Sequence, residues 1–410
     1  MIRNGRHWLL ADQLVVSGGS FITVILAARG LNIGDFGRLS FILLAQLLLL
    51  AIQNAFITGP YMVMPLEHRQ RKDYLTSVLW LHGLLLLLLL STGMAFYWVR
   101  APWMGAWGWI MVLMMGYLSQ DLLRKIFLTE GRALHAFAID LLTNGLQLLL
   151  LWWLYTAGRL DLSSCLMVMG VTFIPSILLG LYWMDRTRAS MSFVKGTALI
   201  HLQHGKWLLG TSLLQWWAGN SFTVGAGVLL GATAFGALRL AQNVFGVMNV
   251  LFQALENLVL PQAAGVSSQG RGPLRVYLRG VTRKSAVVVL PCLLLMALSA
   301  RPLLLLAGGK EYASYYRVIP ELSVLYFLIF YGYPIRIAIR VLHLNKAFFV
   351  GYLLSGTFSI LAARVLIQVG GIEGVVGGLF INQLLMMCYW YIVLSKKKFY
   401  GDHTCGIGES

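Results

Sequence analysis

The sequence predicts an all-α integral membrane protein of about twelve transmembrane helices, arranged in two lobes of about six helices each, with both termini in the cytoplasm. Three observations lead to this fold class. Of the 410 residues, 58% are hydrophobic and only 11% are charged, whereas soluble domains carry about 25% charged residues. Lysine and arginine gather in alternate short loops, and one polar motif recurs in the second half of the chain.

The apolar runs have the length that a membrane-spanning helix requires, roughly 20 residues. The first run follows a basic start like that of a signal peptide. It is long, however, and contains Asp12 and Gln13, so we expect a retained first span. The predicted spans are residues 8–29, 38–64, 74–98, 103–126, 133–156, 163–184, 207–230, 237–264, 285–306, 317–340, 347–369 and 375–395.

The distribution of positive charge predicts the orientation. Most of the 32 lysines and arginines fall in the loops on one side, with Arg124, Lys125 and Arg340 among them. Cytoplasmic loops carry such an excess, so the termini, including the tail at 396–410, are predicted to be cytoplasmic. The net charge of +17 forms no basic face with interleaved aromatic residues, and we therefore expect no nucleic-acid partner.

Membrane lipids are an expected partner for one basic stripe. Four arginines recur every four residues, at positions 271, 275, 279 and 283. On a helix at the cytoplasmic surface they would lie on one side. Such a stripe is typical of a surface that binds anionic lipid headgroups.

A recurring motif predicts a duplicated architecture. LNIGDFGRLSFILLAQ begins at Leu31, and LGATAFGALRLAQ begins at Leu230. The repeat is imperfect, because Gly231 stands where the first copy has Asn32. The polar segment 185–206 is the longest predicted loop and lies almost midway along the chain.

We therefore divide the chain into an N-terminal lobe and a C-terminal lobe of the same orientation. The predicted ranges are 1–190 for the first lobe, 191–206 for a cytoplasmic linker and 207–395 for the second lobe. Repeats of this kind are parallel, and transporters built from them bind substrate between the halves.

The predicted eighth span carries a stripe of polar residues. Steps of three and four residues place them within an arc of roughly 100° on a continuous helix. The stripe consists of Arg239, Gln242, Gly246, Asn249, Gln253 and Glu256, with Asn257 at its edge. Charged residues inside a membrane usually face a bundle interior or a watery cavity. Interhelical hydrogen bonds used for packing are the alternative.

Weaker stripes occur in other predicted spans. Asp140, Asn144 and Gln147 share a face of the fifth span, and Gln46 and Gln53 lie seven residues apart in the second. Each of these stripes fits packing as well as it fits a cavity. Together they suggest a hydrophilic space bordered by spans of both lobes.

Glu256 has two interpretations. A lone carboxylate in a low-dielectric setting prefers the neutral form, so its protonation could follow pH and couple transport to protons. Alternatively, Glu256 forms a salt bridge with an arginine on a neighbouring helix. The sequence does not choose between them.

Missing motifs argue against an enzyme. The chain lacks a G-x4-G-K-[ST] phosphate-binding loop and a D-x-D pair of metal ligands. The predicted outer loops are too short for a catalytic domain. We expect no cofactor, although coupling to H⁺ or Na⁺ is open.

Three stretches resemble a known family of exporters. They are FITVILAARGLNIGDFGRLSFILLAQ, DLLRKIFLTEGRALHAFAIDLLTNGLQLLLLWW and FGALRLAQNVFGVMNVLFQALENLVLPQAAG. They resemble the polysaccharide-transport branch of the multidrug/oligosaccharidyl-lipid/polysaccharide (MOP) exporter superfamily, which includes the O-antigen and exopolysaccharide flippases. The likeness runs from residue 8 to about residue 395. The two additional spans of lipid II flippases are not apparent.

The resemblance implies a bacterial inner-membrane flippase with a central cationic cavity that opens alternately to each side. The implied cargo is an oligosaccharide linked to polyprenyl pyrophosphate, and the implied partners include a glycan polymerase and other biosynthesis proteins. Arg239 and Arg38 would attract the pyrophosphate, with Arg29 near the outer mouth. The residues that would bond sugar hydroxyls are Gln242, Asn249, Gln253, Asn257 and Asn144.

Other functions remain open at this level. A cation-coupled multidrug exporter of the same superfamily would favour acidic and aromatic residues, whereas this chain is rich in arginines and amides. A glycan polymerase or ligase would need a large outer loop. A scaffold that transports nothing would not require the polar stripe.

Overall fold

A computed structural model describes residues 2–65, 72–98, 106–184, 189–397 and 399–400. Throughout these ranges the chain is helical, without a β-strand, so the predicted all-α class is confirmed. The helices of the first half are α1 (Ile2–Gly30), α2 (Ile33–Gln53), a π-helical turn (Asn54–Thr58), α3 (Gly59–Val63), α4 (Lys72–Trp98), α5 (Trp107–Thr129), α6 (Ala133–Thr156), α7 (Leu162–Val171) and α8 (Phe173–Tyr182).

The second half continues with longer helices. They are α9 (Met191–Leu229), α10 (Gly231–Val244), α11 (Gly246–Ser267), α12 (Arg271–Leu298), α13 (Ala300–Gly308), a 3₁₀ turn (Lys310–Tyr315), α14 (Val318–Val341) and α15 (Asn345–Lys396). Helix α15 breaks at Gly371, where φ is 55°. The break separates the two spans that the sequence predicts at 347–369 and 375–395.

The chain forms two compact units, Met1–Trp216 and Trp217–Ser410. In the first unit α1 packs along α6, and in the second α14 packs along α15. Each unit has its own apolar core. Tyr61 and Phe127 are fully buried in the first core, and Trp390 is buried in the second.

Eight helices in the described residues are long and apolar enough to cross a membrane, or nine if the bent pair α10 and α11 forms one span. The chain is therefore a multi-pass membrane protein. The count of twelve spans and the cytoplasmic position of the termini remain predictions.

The same turn follows the fourth long helix of each unit. Helix α5 leads into α6 through Gly131, whose φ is 76°, and α14 leads into α15 through His343, whose φ is 53°. In the first turn the N–H of Arg132 bonds the carbonyl of Phe127 at 2.8 Å. In the second, the N–H of Leu344 bonds the carbonyl of Ile339 at 3.0 Å. The equal spacing of these pairs supports an internal duplication.

Capping residues set two helix starts in the first unit. The Asn32 side chain accepts the Asp35 N–H at 2.8 Å and begins α2. Asp161 and Ser164 form a reciprocal capping box at the start of α7. Hydrogen bonds from the Ser164 side chain and backbone lower the pKa of Asp161.

The polar segment 191–206 is helical, in contrast to the expected linker loop. It forms the first part of α9, and Thr197 and His201 are buried on one face of it. The two ring nitrogens of His201 lie 2.8 Å from the Tyr74 hydroxyl and 2.9 Å from the Phe56 carbonyl oxygen. Burial lowers the pKa of His201. Residues 191–206 therefore belong structurally to the first unit.

The arginine stripe at the start of α12 holds part of the C-terminal tail. Arg271 donates a hydrogen bond to the carbonyl of Lys397. Arg275 donates to the carbonyl of Tyr400 at 3.0 Å, and Phe399 is buried in the core of the second unit. Two of the four arginines expected to face lipid thus bind backbone carbonyls of the chain itself.

Candidate functional site

The polar stripe of the predicted eighth span lies on two helices. Helices α10 and α11 meet at a 45° bend at Phe245 and Gly246, so the stripe does not follow one continuous helix as expected. Arg239 and Gln242 lie on α10, before the bend. Asn249, Gln253 and Glu256 lie on α11, and the side chain of Asn257 lies outside the described residues.

The α10 part of the stripe forms a short hydrogen-bonded chain. Arg239 Nη1 donates to Gln242 Oε1 at 3.0 Å, and Gln242 Nε2 donates to the Thr223 hydroxyl on α9 at 3.3 Å. Arg239 is half-buried. Its guanidinium is therefore fixed by an amide partner rather than by a carboxylate among these contacts.

The α11 part of the stripe is bound to α14. Asn249 Oδ1 accepts a hydrogen bond from the Tyr326 hydroxyl at 3.1 Å, although Asn249 itself is exposed, as is Gln253. Stacked rings support this contact. The Phe245 and Tyr326 centroids are 4.6 Å apart, and those of Phe252 and Tyr326 are 6.1 Å apart.

Glu256 forms salt bridges with two arginines of α14, Arg336 and Arg340. Its side chain is 16% exposed, and those of the arginines are 35% and 38% exposed. The salt bridge that the sequence left as an alternative is therefore the arrangement in the structure, and the lone-carboxylate interpretation is wrong.

Two buried donors adjoin this ion pair. The Arg336 Nε group and the Tyr333 hydroxyl are buried and have no hydrogen-bond partner among the described residues. Buried polar groups are almost always bonded. We refer to Glu256, Tyr333, Arg336 and Arg340 as the Glu256 cluster.

The first unit contains a more acidic network around Arg124 of α5. Asp12 Oδ2 on α1 accepts hydrogen bonds from Arg124 Nε at 3.1 Å and from Nη2 at 2.6 Å. Asp140 Oδ2 on α6 lies 2.8 Å from the same Nε as an ion pair, and Asp140 Oδ1 accepts from Gln120 at 2.7 Å. Both carboxylates are buried.

A second pair lies beside it, against the π-helical turn. Lys125 Nζ is 2.9 Å from Asp121 Oδ2 and also donates to Asn54. Gln53 is fully buried and donates to the Leu118 carbonyl at 3.0 Å and to Asp121 at 3.2 Å. A π-helical turn in an α-helix frequently marks a functional site.

The other predicted site residues are dispersed within the first unit. Asn144 donates to the Asp140 carbonyl at 2.8 Å, and Gln46 is buried. Arg38 is exposed and pairs with Asp35 at 3.1 Å, and Arg29 is exposed at the end of α1. The structure thus gathers Asp140 and Asn144.

Sequence reasoning missed several residues of these networks. Hydropathy assigns Arg124, Lys125 and Arg340 to the loop charges that orient the chain, and it marks neither Arg336 nor Asp121. Their side chains are ion-paired and partly buried within helices. The spacing of these residues contains a signal for Arg336. Arg336 follows Arg124 by the same number of positions as the turn residue His343 follows the turn residue Gly131.

In the described residues, no group of three or more histidines, cysteines, aspartates and glutamates is placed to hold a metal ion. The two networks instead pair carboxylates with arginine and lysine. These networks can bind a ligand through charged groups and hydrogen bonds.

Comparison with solved structures identifies the fold. The lipid II flippase MurJ in an inward closed conformation has a TM-score of 0.70 at 12% identity, with 96% of this chain and 89% of that chain covered. An inward-facing multidrug MATE transporter gives 0.62 at 17% identity, with 96% of each chain covered. The MATE transporter VcmN of Vibrio cholerae, as a mutant, gives 0.59 at 14% identity over 97% and 98%. The chain has the fold of the MOP exporter superfamily.

A family model narrows this resemblance. The model described as "Polysaccharide biosynthesis protein" matches residues 131–317, a range that includes α6, the polar stripe and Glu256. A search of curated protein sequences gives no match. The resemblance to the MOP superfamily in fold, inferred from the sequence, is confirmed.

Proposed function

We propose that this protein is a flippase that moves an oligosaccharide linked to polyprenyl pyrophosphate across the bacterial inner membrane by alternating access. The observation that carries the proposal is the match of residues 131–317 to a polysaccharide biosynthesis family within a chain of MOP fold. A fold neighbour described as a lipid II flippase supports it.

The chemistry of the cargo explains why such a protein is needed. A glycan head carries many hydroxyls, and each polar group that enters hydrocarbon without a partner costs several kcal/mol. Amides and charged groups inside the protein replace water along the path. The membrane potential adds about 2.3 kcal/mol per charge per 100 mV for an anion that moves outward.

Arginine and amide side chains of the second unit suit this cargo. Arg239 and Gln242 form one polar group on α10, and the exposed Asn249 and Gln253 follow on α11. Arginine binds phosphate oxygens in a bidentate manner, while amides donate and accept hydrogen bonds with hydroxyls. We assign Arg239 and the three amides to the polar head of the cargo, where the amides bond the sugar hydroxyls.

A cation-coupled multidrug exporter is the second candidate. The network of the first unit favours it, because Asp12, Asp121 and Asp140 outnumber Arg124 and Lys125. An excess carboxylate can take a proton or bind a cation. The same property fits H⁺ or Na⁺ coupling of a flippase, so the cargo decides between the candidates.

Reconstitution of the purified chain tests the proposal. Liposomes are loaded with a polyprenyl-pyrophosphate oligosaccharide, and an external glycosidase cleaves the glycans that reach the outer leaflet. We expect the protein to raise the cleavable share from about half towards completion, and Arg239→Ala to slow this at least tenfold. Arg301→Ala, an exposed arginine of α13, serves as the control. Transport of an organic cation without glycan flipping would support the drug exporter.

A further inference from the structure

The Glu256 cluster carries more positive than negative charge. Arg336 and Arg340 lie one turn apart on α14, and like charges at this spacing destabilise a helix. Glu256 bridges both guanidinium groups and neutralises one of the two charges. The pair of arginines could therefore accept a further negative charge.

The cluster also has hydrogen-bond donors without acceptors. The Arg336 Nε group and the Tyr333 hydroxyl are buried and unpartnered among the described residues. One carboxylate offers two oxygens, whereas each guanidinium has five N–H donors. A ligand with more oxygens than a carboxylate would satisfy the cluster better than Glu256 does.

The arginines can be reached by a ligand. Their side chains remain 35% and 38% exposed, while that of Glu256 is 16% exposed. A ligand can thus approach the guanidinium groups from their exposed side and displace the carboxylate. The chain need not unfold for this exchange.

The corresponding arginine of the first unit shows the contrast. Arg124 contacts two carboxylates, those of Asp12 and Asp140. Its charge is therefore more than balanced, and a third anion would be repelled. Of the two arginine networks, the one in the second unit therefore has the charge balance that an anion site requires.

We propose that the Glu256 cluster binds a pyrophosphate group and that Glu256 is an internal anion which this group displaces. The proposal rests on the proposed function, in which the pyrophosphate belongs to the lipid-linked cargo. Arg336 and Arg340 bind its oxygens, and the Tyr333 hydroxyl donates to it. When Glu256 returns to the arginines it lowers the affinity for the anion and promotes release.

Binding measurements on the full chain test this proposal. The protein is placed in nanodiscs of neutral lipid, and inorganic pyrophosphate and farnesyl pyrophosphate are titrated by calorimetry. We expect Glu256→Gln to lower the Kd for both probes at least tenfold, because the competing carboxylate is lost. Replacing both Arg336 and Arg340 with glutamine removes the binding. Glu130→Gln, which removes a carboxylate near Arg132 in the first unit, leaves the Kd unchanged.

Release is tested by the flipping assay. Glu256→Gln should slow glycan flipping although it tightens binding, whereas a merely structural role predicts weaker or unchanged binding. Glu256→Asp keeps the charge on a shorter side chain and should give an intermediate Kd. Elution volume and melting temperature identify any variant that fails to fold, and Glu256→Asp then decides the test.

Three outcomes have distinct meanings. An unchanged or higher Kd in folded Glu256→Gln, with wild-type flipping intact, overturns the assignment and leaves the proposed function standing. Tighter binding without any flipping by the wild type supports the site and rejects the function. If phosphatidylglycerol in the nanodiscs abolishes pyrophosphate binding, the cluster binds lipid headgroups, and the assignment to the cargo is overturned.

Discussion

Each unit holds an arginine at a corresponding place near the end of its fourth long helix. The net charge of the ion-paired group around this arginine is negative in the first unit and positive in the second. In the first unit Arg124 lies between two buried aspartates. In the second, Arg336 and Arg340 share the single carboxylate of Glu256. A duplicated basic position can therefore be fully neutralised by carboxylates in one copy and only partly neutralised in the other.

The largest expected effect is on the tightly held copy. Arg124→Met leaves the Asp12 and Asp140 carboxylates buried without their cation. Removal of one partner from a buried ion pair costs about 3–5 kcal/mol, so we expect a loss of this order in the free energy of unfolding. Chemical denaturation of the purified protein in detergent measures it.

A compensated variant controls for this loss. Changing Asp12 and Asp140 to asparagine in the Arg124→Met background removes the uncompensated charges and should restore most of the stability. A loss below about 1 kcal/mol in Arg124→Met alone, smaller than the value for a buried pair, would contradict the role given to this network.

A smaller effect is expected in the second unit. Arg336→Met removes one of two arginines, and Arg340 remains paired with Glu256. The loss is that of a hydrogen bond to a charged group, about 1.5–3 kcal/mol, reduced by the exposure of the arginine. The same denaturation experiment should rank this variant above Arg124→Met in stability, and the reverse ranking would reject the comparison.

The smallest effects concern the matching turns. Gly131→Ala places a Cβ at a φ of 76° and should destabilise by about 1 kcal/mol, since the left-handed region disfavours L-residues. His343→Gly, at a φ of 53°, should change stability by less than about 1 kcal/mol. The melting temperatures of the two variants measure this difference. If both variants shifted the melting temperature equally, the left-handed conformation assigned to both turns would be contradicted.

The fold was largely predictable because hydropathy and charge are local properties. The break at Gly371 lies between two runs that the sequence separates. The bend at Phe245 and Gly246 was not predictable from the sequence. Gly246 fits the polar stripe of a continuous helix, and an argument from helical periodicity assumes that the helix is continuous. The polarity of segment 191–206 predicts a loop, although Phe193, Thr197 and His201 recur every four residues, as on one face of a helix.

The site was less predictable because charge pairing is a tertiary property. Asp12 and Arg124 are far apart in the chain, and hydropathy alone places Arg124 at the end of a span with the loop charges. Glu256 stood out in the sequence, but its partners on α14 did not. The equal spacing of Arg124 and Arg336 becomes informative only when the turns at Gly131 and His343 set the alignment.

The contacts between α12 and residues 397–400 have a practical consequence. Arg271 and Arg275 bind main-chain carbonyls, which every residue type provides, so the identity of residues 397 and 400 matters less than their presence. The buried ring of Phe399 is the specific element. Truncation before Lys397 would remove the Phe399 ring from the core and both carbonyl acceptors from the arginines of α12.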